Sequence, residues 1–242
     1  MTHRNLKFKA VLGAALLAFG SLASAALVTS RAALGGDDFF DWAQLTPTDQ
    51  STLVPLATPA SVTSSLGRGA TVQNTGGGLY RFAENDGTYR SHFTDGDAVL
   101  YTLFDSGNIE IDFDAATGRA GAQIQGVGQP FRATIAAYAL GGALLETWDL
   151  DGAGFDALTA GDGSAIFIGI SRATNDIDRL VFSVSYPNDP QQTDFSLAIN
   201  SLSFGPTATN PGGGGSVPEP ATLALLMLGL GMTGVMRRPG RR

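Results

Sequence analysis

Residues 109–114, Ile109-Glu110-Ile111-Asp112-Phe113-Asp114, alternate apolar and acidic side chains without a break. Successive side chains of a strand point to opposite faces, so this period of two describes a β-strand with one dry and one wet face. Reading outward, short runs of similar character occur at 78–83, 88–93, 98–104, 119–125, 131–140, 143–149, 165–172, 177–186 and 195–204. Turn-forming residues separate them, among them Asn85-Asp86-Gly87, Asp95-Gly96-Asp97, Gly141-Gly142, Asp151-Gly152 and Gly161-Asp162-Gly163. About ten short strands with turn signals roughly every 8–12 residues predict an all-β fold, an antiparallel β-sandwich of jelly-roll type. No stretch between the termini sustains a long amphipathic helical period. Residues 38–45 (DFFDWAQL) read as a short helical turn or as an N-terminal strand tucked against the sandwich.

The two ends differ from this pattern. Arg4, Lys7 and Lys9 precede an apolar run at 10–22, and Ala23-Ser24-Ala25 follows it. A basic start, a short apolar helix and small residues at Ala23 and Ala25 predict a secretory signal peptide over 1–25, cleaved after Ala25. An apolar run of about 13 residues is too short to cross roughly 30 Å of hydrocarbon. At the other end, 210–216 (NPGGGGS) is a flexible linker. Then come Val217-Pro218-Glu219-Pro220, an apolar run at 221–236, and Arg237-Arg238-Pro239-Gly240-Arg241-Arg242. A helix over that run rises about 24 Å, somewhat short of a comfortable transmembrane span. Its terminal arginines belong on the cytoplasmic side, which puts residues 26–209 across the membrane as an ectodomain.

Of the 15 Lys and Arg, three lie before residue 10 and four after residue 236, so eight, all arginine, remain between 26 and 216. They face 21 of the 22 Asp and Glu, so this region carries about −13. Such a field disfavours nucleic acid and anionic lipid, and favours solubility or cation binding. There is no cysteine, so an exported fold here is held by its core or by bound ions rather than by disulfides.

The order Pro218-Glu219-Pro220, apolar helix, Arg237-Arg238 resembles the PEP-CTERM sorting signal. The resemblance implies recognition by an exosortase in a Gram-negative bacterium that makes extracellular polysaccharide. It further implies passage through the inner membrane on the C-terminal helix, processing near the tripeptide, and delivery to the cell surface or extracellular matrix. A softer resemblance covers 120–204, through Ala122-Gln123-Ile124-Gln125, Pro130-Phe131, Thr134-Ile135-Ala136-Ala137-Tyr138, Ala165-Ile166-Phe167-Ile168-Gly169-Ile170, Phe182-Ser183-Val184 and Asp194-Phe195-Ser196-Leu197-Ala198-Ile199-Asn200. It is similar to a domain common among exported PEP-CTERM proteins, and implies a jelly-roll module akin to galactose-binding-like and carbohydrate-binding domains.

Nucleophilic and zinc chemistry lack their parts. His92 is the only histidine left after signal removal, no G-x-S-x-G surrounds a serine, and zinc wants several Cys or His ligands. His92 beside Phe93 reads as a strand-surface residue. Glu84, Glu110 and Glu146 are the only glutamates of the ectodomain, and no spacing pairs them as a glycosidase requires. Hard cations such as calcium take six to eight oxygen ligands. Jelly-roll carbohydrate-binding modules, by the same resemblance, tie the first strand region to the last through calcium; that puts forward Asp37, Asp38 and Asp194, for which solvated turn aspartates are the plainer reading. Asp149-Leu150-Asp151 opens like an EF-hand loop, but the closing position is Ala160 rather than a glutamate. Sugar binding needs aromatic platforms beside planar polar groups, and Trp42, Tyr80 and Tyr89 are the candidates, with Arg81 and Arg90 adjacent to the tyrosines. Trp148 reads as a core residue. The expectation is an exported, non-catalytic envelope or matrix protein, sorted by an exosortase and interacting with extracellular polysaccharide. A calcium-dependent lectin and a glycoside hydrolase are the alternatives.

Overall fold

The structure is a computed structural model that describes residues 25–45, 54–84, 91–103, 107–126, 128–154, 161–189 and 195–207. The expected signal helix, the linker, the C-terminal helix at 221–236, Ala23, Tyr89 and Asp194 lie outside the described residues. The chain divides into two units, Met1–Ala208 and Thr209–Arg242. Among the described residues no helix is long and apolar enough to cross a membrane.

The first half runs β1 (Ala26–Val28), α1 (Arg31–Leu34), β2 (Asp38–Phe40), a 3-10 turn (Trp42–Leu45), β3 (Val54–Leu56), β4 (Ala60–Thr63), β5 (Gly69–Asn74), β6 (Leu79–Ala83) and β7 (Ala98–Thr102). The second half runs β8 (Ile109–Thr117), β9 (Arg119–Gly126), β10 (Phe131–Tyr138), β11 (Leu144–Gly152), β12 (Ile166–Ser171), β13 (Ile177–Ser185), β14 (Leu197–Ile199) and β15 (Leu202–Gly205). These strands form two antiparallel sheets, a β-sandwich. One orders as β11-β10-β13-β8-β5-β4. The other orders as β1-β12-β9-β14-β7-β6-β3, with β15 also paired to β9 and carrying β2 on its far side. From β8 onward the chain crosses repeatedly between the sheets, as a jelly roll does.

The alternation at 109–114 is realised as read: Ile109, Ile111 and Phe113 are buried while Glu110 and Asp112 lie on the outer face. The same period places Ala133, Ile135 and Ala137 of β10, and Leu180, Phe182 and Val184 of β13, in the core. From the other sheet come Ala120, Ala122, Ile124, Ile168, Ile170, Leu197 and Ile199. Phe40, Trp42, Phe113 and Phe204 close one end of the core, with Phe40 and Phe204 stacked at 4.6 Å between ring centroids. Each such side chain contributes on the order of 1.5–3 kcal/mol by leaving water.

Two expectations need correction. The strand predicted at 88–93 does not form where it is described: residues 91–93 are loop, and Thr94 makes only an isolated bridge to Asp162. That loop earns its apolar residues differently, laying Phe93 over the outside of the larger sheet. The strand predicted at 195–204 is broken in two at Asn200-Ser201. Residues 38–45 are both things at once, a short strand followed by a 3-10 turn.

The N-terminal segment covers the larger sheet. α1 has one turn, capped by Ser30, whose hydroxyl accepts from the Ala33 N–H at 3.1 Å. Gly35 ends it at φ 59°, a left-handed conformation that favours glycine. α1 sets Leu34 against Phe167 and Val28. Gly121 and Gly169 lie beneath it on paired strands: a Cβ on Gly121 would come within 2.6 Å of the Gly169 Cα and 2.7 Å of the Ile168 carbonyl oxygen.

Candidate functional site

β9 meets a different partner along each half of its length. Its residues 124–126 pair with β14, and residues 119–121 pair with β15. Beyond these, β14 continues the sheet into β7, while β15 turns it into β2. The sheet therefore forks at Asn200-Ser201, and the two branches diverge. A fork releases backbone groups from the ladder, and buried ones need new partners.

Asn200 supplies several of them. It is buried, and its Oδ1 accepts from the Gln123 N–H at 3.1 Å and from Arg31 Nη2 at 3.0 Å. Its Nδ2 donates to Gln123 Oε1 at 2.7 Å and to Asp97 Oδ2 at 3.0 Å. Both lone pairs and both N–H groups of the amide are thus used. The Asn200 carbonyl accepts from Trp42 Nε1 at 2.7 Å, and Arg31 also donates to the Ser201 carbonyl at 2.9 Å and to the Ser203 hydroxyl. The Arg31 guanidinium lies 5.6 Å from the centre of the Phe167 ring. Burial pushes its pKa down, against the opposing pull of Asp97.

Between the branches is a cleft of about 230 Å³. Phe39 and Asp41 reach it from β2 and the turn after it, Arg81 from β6, Gly96 and Asp97 from the β6–β7 turn, and Ser201 from the fork. Phe39 is 46% exposed. Adjacent residues of a strand point opposite ways, so with Phe40 in the core its neighbour must face out. Asp41 Oδ1 accepts from the Ala43 N–H at 2.9 Å, which starts the 3-10 turn and fixes the carboxylate. The Asp97 N–H donates to the Thr94 carbonyl at 2.9 Å, holding the other carboxylate from its backbone. Gly96 has φ 84°, a turn conformation that brings Asp97 to the rim. Nearby Glu84 is buried and accepts from the Ser91 N–H at 2.6 Å and the Ser91 hydroxyl at 2.5 Å. Burial raises its pKa, the two bonds from Ser91 oppose this, and Asp95 and Asp97 reinforce it.

The structure disperses the residues singled out from sequence. Trp42 is a correction: it is fully buried, stacked at 6.2 Å on Phe40, and offers no platform to a sugar. Asp38 is buried too. Its oxygens accept from the Ser64 hydroxyl at 2.6 Å, the Ser65 hydroxyl at 2.7 Å, the Leu66 N–H at 3.0 Å and the Phe39 N–H at 2.8 Å. Burial alone would raise its pKa, but these bonds outweigh it and hold the carboxyl below its ordinary value. Asp37 pairs with Arg68 at 3.2 Å. Both aspartates are therefore committed to the β4–β5 turn, and among the described residues no group of three or more His, Asp or Glu side chains is arranged to hold a metal. Tyr80 is half-buried on β6, opposite Pro55 and Tyr101 and away from the cleft. Ala25 immediately precedes β1. Trp148 packs partly buried against the core from edge strand β11, and His92 is buried with Nε2 3.3 Å from the Gly154 carbonyl.

The outer face of the smaller sheet holds a second polar group. Register brings Tyr138, Arg179 and Asp112 side by side across three strands, with Glu110 two residues along β8. Arg179 lies 3.2 Å from Asp112 and 3.8 Å from Glu110, and 5.5 Å from the centre of the Tyr138 ring. Gln73 donates to Glu110 at 3.1 Å. Burial raises the Asp112 pKa, Arg179 opposes this, and Glu110 and Asp178 add to it.

No curated protein matches the chain in sequence. Among solved structures it is similar to a DUF4465 family protein from Bacteroides caccae, at 9% identity over 74% of this chain and 98% of that one, with a TM-score of 0.38. It is also similar to a family 29 carbohydrate-binding module from Piromyces equi, at 10% identity over 77% and 95% of the two chains, with a TM-score of 0.32. A D83A mutant of CBM29-2, complexed with mannohexaose, is similar at 13% identity over 64% and 93%, with a TM-score of 0.31. At such scores none of these bears on what this chain binds. Residues 216–242 match the PEP-CTERM protein-sorting motif. The chain thus ends in a PEP-CTERM sorting motif, the mark of an exported protein processed by an exosortase at the membrane of a Gram-negative bacterium.

Proposed function

We propose that this is a non-catalytic protein of the cell surface or extracellular matrix that binds extracellular polysaccharide, delivered there by its C-terminal tail. The observation that carries the reading is the sorting motif at 216–242. The start of β1 at Ala26, one residue past Ala23-Ser24-Ala25, supports export with cleavage after Ala25. The charge of about −13 between 26 and 216 suits a soluble extracellular domain and argues against nucleic acid as partner. Glu110 and Asp112 share the outer face of the smaller sheet. Arg179 ties both of them, and they lie on an open sheet face rather than around a cleft. That disfavours hydrolysis by this pair.

Deleting Pro218 to Arg242 tests delivery. The truncated chain is expected to lose surface attachment, read by fractionation and surface labelling; unchanged surface delivery would overturn the sorting role. The full-length chain is expected to release no reducing sugar from a polysaccharide that it binds, and release would overturn the non-catalytic reading.

A further inference from the structure

The geometry points to the fork cleft as the sugar-binding site, and to a single neutral pyranose unit as its occupant; this rests on the polysaccharide-binding reading above. Size sets the first limit. A cleft of about 230 Å³ falls below the roughly 300–1,000 Å³ of pockets that take drug-sized ligands. It accommodates one ring, a chain end or a side branch, rather than a run of several sugars.

The lining chemistry sets the second limit. Asp41 and Asp97 bring ionised carboxylates, which only accept hydrogen bonds, and a sugar's hydroxyls are donors. Asp41 Oδ1 serves Ala43 and Asp97 Oδ2 serves Asn200, so each carboxylate is anchored through one oxygen, and both residues line the cleft. Ser201 adds a hydroxyl that donates and accepts. Phe39, half out of the surface at the rim, offers the apolar face on which the C–H side of a pyranose stacks. Anchors of this kind reduce the ordering cost of binding, because the carboxylates are already held in place.

Charge sets the third limit. Two carboxylates line the cleft against one guanidinium, in a region carrying about −13. A uronic acid, a sulfated sugar or a phosphate would enter against that field, whereas a neutral sugar would not. A lone cation fits less well, since calcium wants six to eight oxygen ligands.

Affinity electrophoresis of the full-length exported chain tests this, with neutral probes (galactomannan, β-glucan, dextran) beside acidic ones (alginate, polygalacturonate). At least one neutral polymer should retard the chain, and neither acidic one should. Phe39→Ala and Asp41→Asn should each weaken that binding by about tenfold or more, as loss of a central contact does, with melting temperature little changed. Arg132→Ala, on the smaller sheet, should leave it unchanged. A neutral monosaccharide should compete with the polymer. Unchanged retardation in both cleft variants, retardation by the acidic polymers alone, or competition only by oligosaccharides would each overturn the assignment while leaving polysaccharide binding intact. Retardation by none of the five probes would remove the polysaccharide reading and the assignment together.

Discussion

The larger sheet hides its outer face, and the smaller sheet shows its own. Over the larger sheet, α1 seats Leu34 on Phe167 and Val28, and the loops around Phe93 and Ala165 cover Phe82, Val99 and Tyr101. Over the smaller sheet nothing described is laid down. Its outer rows are Glu110, Asp112, Thr134, Tyr138, Arg179 and Gln73, joined by ion pairs and hydrogen bonds. Both faces obey the period-two rule, but they solve it with opposite chemistry. A polar row is stable in water as it stands, whereas an apolar row needs a cover, and a cover brings loops together. The fork cleft opens beside the broken strand of the larger sheet, where Asp41 and Asp97 bring two carboxylates from separate parts of the chain.

The contrast can be broken at three points. Trp42→Ala removes the side chain that ties the 3-10 turn into the core and to the Asn200 carbonyl at the fork, and should cost about 3–5 kcal/mol, a fall of roughly 10 °C in melting temperature. A loss under 1 kcal/mol in denaturant unfolding would mean that this end of the core is not part of the cooperative fold. Asp38→Asn should cost about 1–3 kcal/mol at pH 7, since hydrogen bonds to a charged acceptor are weakened. Its pH dependence sharpens the point. The folded pKa of Asp38 lies below the unfolded one, so its contribution is complete above the unfolded value of about 4 and is lost as pH falls through the folded value. The difference between wild type and Asp38→Asn should therefore close on acidification below about pH 4, and a difference that widened there would contradict the assignment. Arg179→Ala, on the open face, should change stability by no more than about 1 kcal/mol, because half-exposed ion pairs contribute little. A larger loss would show that the open face is as structural as the covered one.

Strands whose alternation runs on strong apolar residues were legible. Ile109–Thr117, Phe131–Tyr138 and Ile177–Ser185 lie close to where periodicity predicts them. Strands built of small or polar residues were not, and Gly69–Asn74 and Ala60–Thr63 have no counterpart in the sequence reading. Their burial comes from neighbours across the sheet, not from their own hydrophobicity. The apolar residues at 88–93 misled for a related reason, since Phe93 is buried as part of a cover rather than of a strand. Among the candidate site residues, Trp42 went astray because an aromatic next to carboxylates looks the same in sequence whether it serves the core or the surface.

By itself the sequence determined the all-β class, the acidic character of the exported region and the terminal sorting signal, because each depends on local composition or on a short order of residues. Only the tertiary structure decided where the sheet forks. Asn200 and Ser201 interrupt an apolar run without any local turn signature, and their effect depends on which strands stand beside them. Asp41, Asp97 and Arg81 come from distant parts of the chain and meet only because β7 and β2 part company there.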